Sequence, residues 1–385
     1  MANTIRDFIL IFASILYEAM PFVVLGAVIA GIIEELSPRQ AFAFMAAVSI
    51  ALLTLIFAPL PLAMRVSLGL TGAAAACMVL LRCQGPIDAV LGFLGRHRLA
   101  ALAMSGFLGL IMPMCECGIV PVMRRLLRKG MPLSCCVTYM LSGPIINIVV
   151  LLSTYAAFAG MENNVDSSGR LTYQAGGLTM VLLRGGMGWL VAFVTGLVVE
   201  RSYRKYGDDL LAPLARPPKV DSSGNPLDDD EAKSRKPLLQ RAGSASETAL
   251  HDFVDIMVFL ILGALLSALF RSLFTAEQVE DLSRNQPIIA ILAMMALAVV
   301  LCLCSEADAF VAASLTAIRP SAKLAFLVLG PMMDFKLFLM YQRVFRPRLI
   351  WTIIPCVVVQ VLLYSLVFHY FWETYAPYWY GTTGP

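Results

Sequence analysis

The sequence predicts an all-α, polytopic membrane protein made of two inverted-topology repeats, with re-entrant helical hairpins and Pro-broken helices. Of its 385 residues, 59% are hydrophobic and only 14% are charged, whereas a soluble domain has about 25% charged residues. Related motifs recur on either side of one polar segment, 201–250. The formal net charge of +3 is too small to indicate nucleic acid as a partner, and the bilayer is the expected environment.

Apolar runs of roughly 20 residues are long enough to span a bilayer. The predicted spans lie near 8–33, 41–58, 62–82, 133–158, 178–200, 251–274, 323–343 and 350–372. Two shorter runs, 98–112 and 287–303, are each followed by a second apolar piece, at 118–127 and 308–318. These two pairs are typical of helical hairpins that enter the membrane and turn back.

The polar segment 201–250 divides the chain into an N-terminal transmembrane repeat (1–200, with two extra spans near 41–82) and a C-terminal one (251–385). Its Pro, Ser, Gly and Asp clusters predict a mostly disordered linker. The positive-inside rule places this linker and the basic run 124–129 in the cytoplasm. Arg319 and Lys323 then fall on the outer side, against this topology. The first helix is expected to be retained, because Glu18 interrupts its apolar run.

Three motifs recur in the two halves. The segment around Gly26 corresponds to that around Gly263, and Glu18 then corresponds to Asp255. The other two correspondences are Cys115-Glu116-Cys117 with Cys304-Ser305-Glu306, and Gly143-Pro-Ile-Ile-Asn147 with Gly330-Pro-Met-Met-Asp334. An even number of extra spans leaves the relative orientation of the halves unchanged. On the predicted topology the first hairpin enters the membrane from the cytoplasm and the second from outside, so the repeats are predicted to be inverted. Inverted repeats with broken helices at the midplane are typical of secondary transporters.

The first hairpin carries a C-x-C pair, Cys115 and Cys117, between helix-breaking prolines and Gly118. Two thiolates suit a soft, thiophilic ion or metalloid, with Cys135, Cys136 and Cys304 as additional or alternate ligands. Buried cysteines also serve as small hydrophobes. That structural role is favoured for Cys77, Cys83, Cys302 and Cys356, and it is an equal alternative for the C-x-C pair.

Glu116, Glu306 and Asp308 lie at apparent membrane depth, where each carboxylate must be paired, protonated or hydrated. A carboxylate that alternates between charged and protonated forms would couple transport to protons. Glu116 and Glu306 are the first candidates, and Glu18 and Asp255 are further ones that could equally lie near helix ends. The structural alternative is an ion pair that holds the hairpin tips together.

Pro144 and Pro331 interrupt two otherwise continuous spans, because proline removes an internal hydrogen bond. Polar backbone is then released beside Asn147 in one half and Asp334 in the other. Lys336 is expected to neutralise Asp334 rather than contact substrate. The candidate substrate-binding residues are Cys115, Glu116, Cys117, Gly118, Pro144, Asn147, Cys304, Ser305, Glu306, Asp308, Pro331 and Asp334.

The sequence contains no nucleotide-binding or hydrolase motif, so neither an enzyme nor a cofactor is predicted. The leading hypothesis is a secondary transporter driven by protons. The alternatives are a membrane thiol-redox protein that uses Cys115 and Cys117, and a membrane subunit of a larger complex. Redox proteins more often carry C-x-x-C in a soluble fold. The sequence leaves the oligomeric state open, including a homo-oligomer.

The P-x-C-x-C-G-x-x-P segment at 113–121, the basic run after it and Gly143-Pro-Ile-Ile-Asn147 resemble a known family. So do Leu303-Cys-Ser305 with Asp308, and Phe326 to Pro331. The family is the predicted permeases that include the bacterial organoarsenical efflux permeases. The resemblance implies a multi-pass inner-membrane permease that expels trivalent organoarsenicals, with Cys115 and Cys117 as the family's thiols. Many members have a small residue where this chain has Glu116.

Overall fold

The computed structural model of the chain describes residues 2–35, 72, 98–111, 114–128, 131–159, 164–165, 171–172, 175–212, 238–273, 287–315 and 318–379. The predicted all-α class is confirmed for these residues. The exception is a short antiparallel pair of strands, β1 (Asn164–Val165) and β2 (Leu171–Thr172). The predicted spans near 41–58 and 62–82 lie outside the described residues.

The described helices follow the predicted apolar segments closely. In chain order they are α1 (Ala2–Glu35), α2 (Arg98–Ile111), α3 (Glu116–Arg128), α4 (Leu133–Ser142), α5 (Ile148–Phe158), α6 (Gly177–Tyr206), α7 (Leu238–Leu273), α8 (Pro287–Leu301), α9 (Ser305–Ser314), α10 (Pro320–Leu329), α11 (Phe335–Val344) and α12 (Pro347–Trp379). The order of elements repeats: a long helix, two broken pairs and a second long helix occur in each half. The long helices α1 and α7 pack against each other.

Each Gly-Pro motif ends one helix and starts another. The Gly143 N–H donates to the Tyr139 carbonyl at 2.8 Å and closes α4. The chain then restarts at α5, where the Asn147 side chain accepts from the Val149 N–H at 3.0 Å. In the second half Asp334 Oδ1 accepts from the Leu337 N–H at 2.7 Å and caps α11 in the same way. The predicted breaks are therefore present, and the two polar residues after them are N-caps.

Contacts at the helix ends define one end of the molecule. Near the end of α6, Glu200 accepts from Ser134 at the start of α4 at 2.9 Å and from Arg98 at the start of α2 at 2.8 Å. Nearly two turns further along α6, the Arg348 guanidinium at the start of α12 lies 4.8 Å from the centre of the Tyr206 ring. The starts of α2, α4 and α12 therefore lie together with the end of α6.

The start of α10 lies at the other end. Ser321 Oγ, in the first turn of α10, lies 3.4 Å from Nδ1 of His369. His369 is roughly 30 Å along α12 from Arg348, at 1.5 Å per residue. The Lys323 ammonium lies 5.8 Å from the centre of the Phe158 ring, at the end of α5. Helices α4 and α10, which carry the corresponding Gly-Pro motifs, thus run in opposite directions.

Helices α3 and α9 end at opposite ends of the molecule for the same reason. Helix α3 reaches α4 through a short connection in which the Met131 N–H donates to the Leu126 carbonyl at 3.0 Å. Helix α9 reaches α10 through a similar connection, where the Ile318 N–H donates to the Leu315 carbonyl at 3.2 Å. Because α4 and α10 start from opposite ends, α3 and α9 also end at opposite ends.

The predicted disordered linker needs correction at both of its ends. Helix α6 continues to Tyr206, and Leu211 then pairs with Phe345, so the start of the predicted disordered linker is ordered. Helix α7 already begins at Leu238. The polar composition of 201–250 concealed these ends, and only 213–237 lies outside the described residues. Lys323 is fully buried near the start of α10, and its predicted position on the outer side stays a prediction.

Among the described residues, two helices are long and apolar enough to cross a membrane, Gly177–Tyr206 and Pro347–Trp372. Their outward faces are apolar: Leu182 is 66% exposed, Trp351 70% and Val359 62%. Soluble proteins rarely expose apolar patches of this extent. These surfaces fit contact with lipid.

Glycine at 109 lets α2 approach α4 closely, because a Cβ there would overlap Gly143 Cα. We expect Gly109→Ala to lower the stability of the purified protein by about 1–3 kcal/mol through overpacking. Gly186→Ala in α6 is the matched control, since nothing lies within 4 Å of a Cβ at that position. Thermal unfolding in detergent measures both, and equal midpoints for the two variants would contradict the close packing.

Candidate functional site

The first residues of α3 and α9 meet inside the protein. Glu116, the first residue of α3, is 1% exposed, and Ser305, the first residue of α9, is fully buried. Ser305 Oγ donates to Glu116 Oε2 at 3.4 Å. Lys336, in the first turn of α11, donates from Nζ to Glu116 Oε1 at 2.8 Å. Three broken helices from both halves of the chain thus share one polar centre.

Lys336 was expected to neutralise Asp334, and this ion pair is present together with a shorter one to Glu116. Its Nζ lies 3.5 Å from Asp334 Oδ2. It also lies 3.3 Å from the Leu303 carbonyl and 3.4 Å from the Cys302 carbonyl. The expectation is confirmed, and the long lysine side chain also reaches across to Glu116 at the start of the facing helix.

The backbone between α8 and α9 has an unusual conformation. Cys302 has a φ of 47°, and it is the one described residue other than glycine with a positive φ. A non-glycine residue in this region costs of order 1–3 kcal/mol, and such residues cluster at functional sites. Here the conformation ends α8 and leaves two carbonyls directed at the Lys336 ammonium.

Arg184 is a central residue of the site that the sequence analysis missed. It lies in α6 and is fully buried. Its Nη1 donates to Thr154 Oγ1 in α5 at 2.6 Å, and its Nη2 donates to the Ser305 carbonyl in α9 at 2.8 Å. The signal was present, since Arg184 is a charge inside the predicted span 178–200. Ionisable residues within a span are functional candidates by default.

Two acidic residues of α9 lie within electrostatic range of Arg184: Glu306 and Asp308. Asp308 is 2% exposed, and its Oδ2 would lie 2.8 Å from a Cβ added at Gly330. The second Gly-Pro break therefore needs glycine so that this carboxylate can lie against it. The candidates Glu116, Ser305, Glu306, Asp308 and Asp334 are thus brought into one buried cluster.

Several polar atoms of this cluster are buried and have no hydrogen-bond partner among the described residues. They are Arg184 Nε, Glu306 Oε2, Asp308 Oδ2 and Asp334 Oδ2. More than nine-tenths of buried polar groups in proteins are hydrogen-bonded, so each exception needs an explanation. Atoms of both donor and acceptor type at one place are what a small polar ligand could satisfy.

The predicted thiol ligands are not all brought together. Cys115 is buried directly before α3, and Cys304 is half-buried directly before α9. The side chain of Cys117 lies outside the described residues. Cys135 packs against Ala101 and Leu102 in a separate cluster.

Cys135 belongs to the end of the molecule marked by Glu200, because its neighbour Ser134 donates to Glu200. Glu200 is roughly 24 Å along α6 from Arg184, so Cys135 and Cys136 do not join the central cluster. Among the described side chains, no group of three or more His, Cys, Asp or Glu residues could hold a metal ion.

Four of the remaining candidates lie at a close helix contact or at the helix breaks. A Cβ on Gly26 of α1 would lie 2.5 Å from Gly118 Cα, so Gly118 mediates close helix packing. Pro144 and Pro331 are buried in the two breaks, and Asn147 caps α5. The side chains of Glu18 and Asp255 lie outside the described residues.

Comparison with known proteins identifies the family. Residues 74–370 match the family described as "Predicted permease". The chain belongs to this family. The permease is 30% identical to "UPF0718 protein YcgR" of Bacillus subtilis (strain 168), over 93% of its own length and 95% of that protein. It is 26% identical to the "Putative two-component membrane permease complex subunit" of Streptococcus mutans, over 95% and 96% of the two chains. No solved structure matches the permease significantly.

Family membership confirms the resemblance drawn from the motifs, and it supports a membrane permease rather than an enzyme.

We expect Arg184→Met to destabilise the permease by about 3–5 kcal/mol, because it leaves buried carboxylates without a compensating charge. Thr154→Val is the matched control. It removes one hydrogen bond to the guanidinium, and we expect a loss of about 1 kcal/mol.

Unfolding of both variants in detergent, followed by intrinsic fluorescence, measures the difference. Equal stabilities for the two variants would show that Arg184 does not balance the acidic residues around it.

Proposed function

We propose that the protein is a secondary transporter, and that its small solute binds at the central cluster. The observation that carries this proposal is the buried set of charges assembled by broken helices from both halves. In secondary transporters, substrate and ion sites lie near the bilayer midplane and are formed by discontinuous helices. The unpartnered polar atoms of Arg184, Glu306 and Asp308 support a ligand at this position.

The proposed architecture is an inverted repeat with two re-entrant hairpins. The opposite directions of α4 and α10, and the return of α3 and α9 to opposite ends, support it. The site then lies between two units of opposite orientation. Rocking one unit against the other would open the site to one side of the membrane at a time.

The proposed energy source is the proton gradient. Glu306 and Asp308 have buried oxygens without a hydrogen-bond partner among the described residues. Either carboxyl group could bind a proton on one side of the membrane and release it on the other. Glu116 is a weaker candidate than the sequence analysis made it, because Lys336 and Ser305 already bind its two oxygens.

The proposed cargo is a thiophilic metalloid species such as a trivalent organoarsenical, expelled across the inner membrane. The two hairpin tips support this cargo, since each carries a cysteine directly before its second helix, Cys115 and Cys304. Thiolates are soft ligands, and they bind a thiophilic metalloid in preference to hard cations. Both cysteines adjoin residues of the central cluster, Glu116 and Ser305.

We expect everted membrane vesicles that contain the protein to accumulate a trivalent methylated arsenical. The change Cys115→Ser/Cys117→Ser should lower the uptake about tenfold or more, because hydroxyl oxygens are poor ligands for a soft centre. Cys356→Ser is the control, since Cys356 contacts Gln360 in α12 and not the hairpin tips. A protonophore should abolish the uptake if protons drive it.

Three other results would change the proposal. Uptake that survives the double substitution would leave transport intact and remove the thiols from the site. Uptake that resists the protonophore would remove proton coupling. No uptake by the folded wild-type protein would exclude this cargo, and the next screen would begin with protonatable anions.

The inverted architecture makes its own prediction. A membrane-impermeant maleimide should label Ser314→Cys, at the end of α9, on intact cells. It should label Arg98→Cys, at the start of α2 in the first half, only after the cells are permeabilised. Both positions are exposed, and the parent protein reports the background from its own cysteines. Labelling of both variants under the same condition would refute the opposite orientation of the halves.

The second candidate function is that of a membrane subunit in a two-component permease. The name of the Streptococcus mutans relative favours it. Transport by the purified protein alone in proteoliposomes would refute this candidate. Transport that requires an added cell fraction would support it.

A further inference from the structure

The Lys336 ammonium is held by four oxygen atoms. Glu116 Oε1 lies 2.8 Å from Nζ, the Leu303 carbonyl 3.3 Å, the Cys302 carbonyl 3.4 Å and Asp334 Oδ2 3.5 Å. Lys336 is 2% exposed. The surroundings of this ammonium are therefore a set of two carboxylates and two backbone carbonyls, closed to solvent.

This donor set is the kind that transporters use for alkali cations. In transporters with broken helices, unwound backbone carbonyls and half-helix C-terminal ends coordinate Na⁺. Here the two carbonyls directly follow the last residue of α8, at the negative end of that helix dipole. The φ of 47° at Cys302 fixes the backbone in the conformation that presents them.

The ammonium is held against its local helix dipole. Lys336 lies in the first turn of α11, where the positive end of the dipole disfavours a cation. The oxygens around Nζ must outweigh this effect, so the site strongly favours a positive charge. The contact with Asp334 Oδ2 is long, and this buried oxygen has no hydrogen-bond partner among the described residues. A compact ion could bind it more closely than the tethered ammonium does.

We propose that Glu116, Asp334 and the carbonyls of Cys302 and Leu303 form a monovalent-cation site that the native chain fills with its own Lys336 ammonium. Removal of this side chain then allows Na⁺ to bind in its place. The cation site stands on geometry alone. Its consequence for transport rests on the proposed function: the native protein needs no Na⁺, whereas a variant without the ammonium acquires Na⁺ dependence.

The test compares thermal unfolding of the purified full chain in NaCl and in choline chloride at equal ionic strength. We expect Lys336→Ala to unfold at a midpoint about 3 °C or more higher in 300 mM NaCl, because a ligand that binds only the folded state stabilises it. The wild-type protein should show equal midpoints in the two salts. Lys323→Ala is the matched control, since it removes another buried ammonium, one that lies over the Phe158 ring.

A second variant links the effect to the site. Glu116→Gln/Lys336→Ala removes one of the two carboxylates, and it should lose most of the Na⁺ response. An equal response of Lys323→Ala to NaCl would reveal a general salt effect and overturn the proposal. Folded Lys336→Ala with equal midpoints in NaCl and in choline chloride would also overturn it.

Misfolding of Lys336→Ala is a third informative outcome. If it aggregates in both salts while the neutral variant Glu116→Gln/Lys336→Met folds, Na⁺ cannot replace the ammonium, and the proposal fails. The experiment measures no transport, so its failure leaves the proposed function intact. Failure of the arsenical uptake assay equally leaves the cation site intact.

Discussion

The ion pair between Glu116 and Lys336 joins the two halves of the chain at the centre of the protein, 2.8 Å from Nζ to Oε1. A buried ion pair repays its desolvation only when further hydrogen bonds satisfy both partners. Ser305 supplies one to Glu116, and the carbonyls after α8 supply others to Lys336. The positions of α3, α8, α9 and α11 therefore depend on one another through a single pair of charges.

The broken helices and the buried charges stabilise each other. In a bilayer, backbone groups released by a break must be satisfied within the protein. Arg184 binds the carbonyl of Ser305, and Lys336 binds those of Cys302 and Leu303. A neutral core would leave these carbonyls unsatisfied, and unbroken helices would leave the two cations without these acceptors. The helix breaks and the buried cations therefore depend on each other.

The sequence predicts the helices and the breaks well, because both depend on local patterns. Apolar length located the apolar parts of the described helices, and the two Gly-Pro motifs located the interruptions. The pairing of Lys336 with Glu116 was not predictable in this way, since the two residues are 220 positions apart in the chain. Arg184 could have been found, because the rule that selected Glu116 applies equally to a charge in a long span. The helical parts of 201–250 were hidden by their polar composition.

The family resemblance implies a small residue where this chain has Glu116, and a negative charge beside the predicted thiol ligands would disfavour the proposed neutral metalloid. The ion pair removes that difficulty. Lys336 balances the charge of Glu116, and Ser305 occupies its second oxygen, so the carboxylate is directed at the facing helix tips. The acidic residue therefore acts between the two halves of the chain, and a neutral cargo at the thiols is electrostatically compatible with it.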